Sequence, residues 1–212
     1  MTNHAIAPRD YDILASLTRR VRLLAIDQAR RIWWPGHPTC RTARRHMLRL
    51  VAAGLVQRTI INAHPLLPIS RPLCAWKPGG REPDPSCVSQ RARGRWSRPA
   101  EPIEVYWASR RTANLFGSTA GQLPNLLHRD HDLLLAQVYF WYRRHHADDA
   151  RRWLGEDALS KAGYRTKDPD AFLLADDGQP QRVIESAGRY APAQVASFHE
   201  HCADHDLAYE LW

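Results

Sequence analysis

Between Thr39 and Ala53 the chain carries a pattern that an amphipathic helix satisfies and little else does. Ala43, Met47, Leu50 and Val51 recur on one face at helical spacing, while Arg41, Arg44, Arg45 and Arg49 fall on the other. Thr39 is the expected N-cap and Gly54 the expected stop. The cationic face belongs to a larger imbalance: residues 1–100 hold 18 Lys and Arg against 5 Asp and Glu, net +13, and the rest of the chain holds 12 against 17, net −5. A basic half draws in a polyanion by its field and by release of condensed counterions, whereas the acidic half repels the same ligand. Double-stranded DNA is therefore the expected partner, and a solvated Arg-rich face is the plainer alternative.

The flanking residues extend the pattern. Tyr11, Ile13, Leu14 and Leu17 space a first helix from Asp10, with Arg19 and Arg20 at its C-terminal end. Ile26, Ala29, Ile32 and Trp33 form a short second helix that Trp34-Pro35-Gly36 ends. Beyond Gly54, the stretch from Leu55 to Ile61 is β-prone, and a second extended piece from Arg71 to Trp76 is expected to pair with it across the Pro-rich loop 62–70. Three helices and a hairpin in that order describe a winged helix-turn-helix, whose last helix suits a DNA major groove. Thr39, Arg41, Thr42, Arg44, Arg45 and Arg49, with Arg58 on the following strand, are the candidate DNA contacts. Residue type alone does not separate base readout from phosphate clamping.

At 212 residues, with 44% hydrophobic content, 8 Trp and 7 Tyr, the chain is long enough for two compact domains. The expected division is a winged helix over 1–76, a basic Pro- and Gly-rich linker over 77–102, and a second domain over 103–212. No apolar run approaches the roughly 20 residues of a membrane span, and the start of the sequence lacks the parts of a secretory signal, so a cytoplasmic protein without a membrane partner is expected. Cys40, Cys74, Cys87 and Cys202 show no CxxC spacing, which predicts neither disulfides nor structural zinc.

In the second half, Ile103 to Trp107 alternates as a strand, Ser109 to Leu115 reads as a short helix closed by Gly117, and Asn125 to Arg144 as the longest helix. Ala171–Leu174 and Arg182–Glu185 flank the turn Asp176-Asp177-Gly178, the signal of a hairpin. A helix over Pro192–His205 and a closing strand from Ala208 follow. Asp170 enters the first hairpin strand and Glu185 leaves the second, so the hairpin brings two carboxylates together as hard-oxygen ligands suited to a divalent ion. His199, His201, Cys202 and His205 share the last helix but lack convincing further ligands, and read as a surface cluster. There is no nucleophile elbow and no Gly-rich phosphate loop.

Taken in order, Thr42-Ala-Arg-Arg, Leu50-Val-Ala-Ala-Gly-Leu-Val-Gln-Arg, His131-Asp-Leu, Pro169-Asp-Ala, Val183-Ile-Glu and Gly188-Arg-Tyr resemble the replication-relaxation proteins of plasmids and other mobile elements. The resemblance spans nearly the whole chain. It implies a mixed α+β or α/β protein: a winged helix followed by a small restriction-endonuclease-like domain. Active enzymes of that fold place a helical Glu, then Pro-Asp, then Asp or Glu, any residue, Lys; the matching positions here are Glu156, Asp170 and Glu185, with Ala187 where the lysine belongs. Alanine neither orients water nor offsets charge on a phosphate, and Lys167 or Arg189 is the nearest cation in sequence.

Three readings follow. The first is a DNA-binding protein with no cofactor, acting in replication, mobilisation or transcriptional control. Its inactive nuclease-like domain would add phosphate contacts, a partner site or a homodimer surface. The second is a Mg²⁺-dependent endonuclease using Asp170 and Glu185, with Glu156. The third is an interaction module that never touches DNA.

Overall fold

The computed structural model describes residues 6–66, 68–158 and 169–212. Chain order begins α1 (Pro8–Arg19), β1 (Leu24–Ala25), α2 (Ile26–Trp33), α3 (Arg41–Ala52), β2 (Val56–Ala63), β3 (Cys74–Trp76) and α4 (Pro85–Gly94). It continues with β4 (Glu101–Ala108), α5 (Arg110–Leu115), α6 (Arg129–His145), α7 (Ala147–Arg152), β5 (Trp153–Gly155), β6 (Ala171–Leu174), β7 (Pro180–Glu185), α8 (Pro192–Asp204) and β8 (Ala208–Leu211). Helices and strands are mixed in sequence and space, an α+β arrangement.

The strands form two sheets. The first is antiparallel in the order β1-β4-β2, with β2 and β4 in register over eight residues, from Val56 opposite Ala108 to Ala63 opposite Glu101. Period-two alternation gives this sheet two apolar faces. Val56, Tyr106 and Ala108 meet the buried side of α1, α2 and α3, while Ile61, Ala63, Val105 and Trp107 pack with Leu23 and Leu133. The second sheet runs β3-β8-β7-β6-β5, with only β7 and β8 parallel, joined through α8. Phe172, Val183, Tyr209 and Leu211 face α8 and α4, and Ala171, Leu173, Ile184 and Trp212 face α6. Helix α6 lies between the sheets and is apolar nearly all round: Leu133 serves the first sheet, and Val138, Tyr139, Phe140 and Tyr142 join the core that reaches the second.

Two expectations change here. The Arg71–Trp76 piece does not pair with the strand after α3: β3 is seated on β8, and the partner of β2 is β4, some 40 residues further on. Local hairpin logic favours the nearer segment, but β4 matches β2 in length and alternation, and a three-residue strand does not. Residues 77–102 also contain a helix. Asp84 caps α4 by accepting from the backbone N–H groups of Ser86 and Cys87 at 2.9 and 3.2 Å, Pro85 occupies the first turn, and Ser89 Oγ donates to the Tyr190 carbonyl at 2.7 Å. Charge and Gly in this stretch masked the Asp-Pro start signal.

Candidate nucleic-acid interface and acidic cleft

Helix α3 buries Ala43, Met47 and Leu50 and leaves Arg41, Arg44, Arg45 and Arg49 exposed. Its ends are built differently. At the start the first intrahelical acceptor is the Cys40 carbonyl, bound by Arg44 N–H at 2.8 Å, so Cys40 and not Thr39 is the N-cap, and no side chain caps it. Thr39 is exposed in the preceding turn, and the Thr42 hydroxyl lies 3.3 Å from His37 Nδ1. At the end Gly54 adopts φ +69°, with Gly54 N–H on the Val51 carbonyl at 2.9 Å and Leu55 N–H on the Leu50 carbonyl at 3.0 Å, a Schellman closure. His46 pairs with Asp10 of α1, and its Nδ1 receives Arg49 Nη2 at 3.1 Å, which fixes the roll of α3 on α1.

The six arginine and threonine candidates on α3 and its approach lie along one stretch of surface, and Arg58 joins them through a residue that sequence reasoning missed. Glu104 of β4 receives Arg44 Nε at 2.7 Å and Arg58 Nε at 2.6 Å, and the Tyr106 hydroxyl donates to it at 2.7 Å. Burial alone would raise the Glu104 pKa. The three donors outweigh it and hold this carboxyl below its ordinary value, while both guanidinium groups are held above theirs.

The acidic residues line a separate cleft of about 1000 Å³, bordered also by Arg22, Trp96, Leu126, Leu127, His131, Arg189 and Tyr190. The hairpin does bring Asp170 beside Glu185, each 7% exposed. Asp170 Oδ1 lies 2.9 Å from His131 Nε2, and Oδ2 accepts from Ser186 N–H at 2.7 Å. On Glu185, Oε2 is 3.3 Å from Asp170 N, and Oε1 accepts from the Tyr190 hydroxyl. Glu156 joins the same wall but is drawn to Arg22 at 3.1 Å, beside the Arg22–Asp157 pair at 3.0 Å. Burial opposes charge on His131, yet Asp170, with Asp132 and Glu185 behind it, raises its pKa to about 9. Burial, reinforced by the Asp170 charge, pushes Glu185 well above the carboxylate range. Asp132, buried beneath them, rises to about 7 chiefly through burial.

These residues do not fit a divalent ion as they stand. Asp170 is already engaged by His131 Nε2 on Oδ1 and by Ser186 N–H on Oδ2, and Glu185 Oε1 by the Tyr190 hydroxyl, so an ion bridging the two carboxyls would have to displace these contacts. The lysine position, Ala187, is buried against the second sheet, and Arg189 is exposed with Nη2 3.4 Å from His64 Nε2. Lys167 lies outside the described residues. Among the described residues no three His, Cys, Asp or Glu side chains group as a metal needs. On α8, Cys202 points into the core, while the His201 and His205 rings lie 4.5 Å apart. His131, Arg22 and Tyr190 were not identified as site residues from sequence; the signal available for the first was a histidine opening a long helix.

No family model, curated protein or solved structure matches this chain.

Proposed function

We propose that the protein binds duplex DNA through a winged helix-turn-helix made of α1, α2, α3 and the sheet β1-β4-β2, with α3 presented to the major groove. The observation that carries this reading is the division of α3, with Met47 wholly buried on one side and Arg41, Arg44, Arg45 and Arg49 exposed on the other. The element order helix, short strand, helix, helix, strand, strand supports it, with residues 64–100 inserted between the last two strands. The nuclease-like half is read as non-catalytic, because His131 is held against Asp170 and Ala187 stands where the resemblance puts the water-orienting lysine. A setting in plasmid or mobile-element replication, mobilisation or transcriptional control rests on the resemblance to replication-relaxation proteins.

Titrating a labelled mixed-sequence duplex at several salt concentrations tests the reading. Wild type is expected to bind with a steep negative dependence on log salt. Arg41→Ala/Arg45→Ala should weaken binding and lower the slope by about 2, near 0.9 for each phosphate no longer neutralised. Affinity that ignores both salt and substitution contradicts it.

A further inference from the structure

We propose that Arg44, Glu104 and Arg58 form a single two-pronged anchor for one DNA phosphodiester, in which Glu104 is the positioning residue. This deepens the DNA-binding reading and rests on it. The sheet register places the three side chains together. Along β4, Glu104 shares the face of Tyr106 and Ala108, which pack toward α3, and Arg58 of β2 stands directly opposite Tyr106. Arg44 reaches the same point from α3, one turn before the buried Met47.

The atoms used decide what the cluster can do. Both arginines meet Glu104 through Nε, at 2.7 and 2.6 Å. A guanidinium has five N–H donors, one on Nε and four on the two Nη nitrogens. Bonding through Nε therefore fixes the plane of the group and leaves its terminal edge for another acceptor. Glu104 itself is 9% exposed at its side chain, whereas Arg44 and Arg58 are 46% and 37% exposed. The carboxylate thus lies beneath the two cations and they face solvent. The cluster keeps one net positive charge, so an anion is favoured, and a tetrahedral phosphate oxygen pair suits two oriented guanidinium edges better than it suits a flexible ammonium. Orientation before binding also removes part of the rotamer entropy that two free arginine side chains would lose on the DNA.

The sign of one substitution separates positioning from bulk charge. Glu104→Gln removes a negative charge, so a purely electrostatic surface would bind a mixed-sequence duplex more tightly. The anchor predicts the reverse, binding about fivefold weaker than wild type in fluorescence anisotropy at fixed salt, the size expected when one oriented hydrogen-bonding edge is released. Arg44→Lys and Arg58→Lys, both at exposed positions, keep the charge but offer a single nitrogen that cannot serve carboxylate and phosphate at once in a fixed plane. Each should weaken binding about as much as the corresponding alanine. Equal or tighter binding by Glu104→Gln with an unchanged urea midpoint, or wild-type binding by both lysine variants, overturns the anchor. If Arg41→Ala/Arg45→Ala still weakens binding in that case, the DNA reading stands and the anchor alone fails; a wild-type protein that ignores duplex DNA sinks both.

Discussion

His131 sets its imidazole against the Asp170 carboxylate, with the buried Glu185 carboxyl beside it in a poorly solvated site. Because the folded state raises the His131 pKa to about 9 from an ordinary value near 6.5, the stabilisation is complete below about pH 6.5 and disappears as pH rises through 9. The elevated Glu185 carboxyl acts in the same direction, since the folded state holds a proton that the unfolded chain releases at lower pH. Urea midpoints should therefore fall between pH 6.5 and 9. His131→Gln should cost about 3 kcal/mol at pH 6 and much less near pH 10. A midpoint flat across that range, or a His131→Gln penalty that grows with pH, would contradict the assignment of charge.

At the scale of elements, what was legible in sequence is what local spacing controls. Helices α1, α2 and α3, the β6–β7 hairpin and α8 follow from periodic apolar residues and turn chemistry, and each lies within a few residues of its expected position. Pairing across distance was not legible. The partner of β2 lies beyond an insertion that carries β3 and α4 into the other sheet, and no local rule favours a strand 40 residues away over a nearer one. Tight approach between elements was equally hidden. Gly155 of β5 abuts the end of α1 so closely that a Cβ there would stand 2.4 Å from the Arg20 carbonyl oxygen. Since the obstacle is backbone, Gly155→Ala should destabilise by about 2 kcal/mol through forced separation of β5 from α1. A thermal midpoint equal to wild type would show that this junction yields freely.

Over the whole molecule, α6 joins the two sheets into one apolar core, so the arginine surface of α3 and the acidic cleft are set on one body. The site residues were legible to different degrees. The exposure of Arg41, Arg44, Arg45 and Arg49 follows from a simple amphipathic pattern, and the meeting of Asp170 with Glu185 from hairpin geometry. The roles of Glu104 and His131 were not legible, because a single acid in a strand and a histidine at a helix start acquire their meaning from partners 46 and 39 residues away. The two acidic sites are built oppositely: Glu104 lies beneath two solvent-facing guanidinium groups, whereas Asp170 is engaged internally by His131.

Backbone amide chemical-shift mapping of the full chain during titration with a mixed-sequence duplex would locate the DNA-binding surface. Binding through α3 should concentrate the shifts from Arg41 to Ala52 and around Arg58 and Glu104, growing as salt is lowered, with Leu126–His131 and Ser186–Tyr190 unaffected. Shifts confined to those cleft residues, or no shifts at any salt, would contradict it.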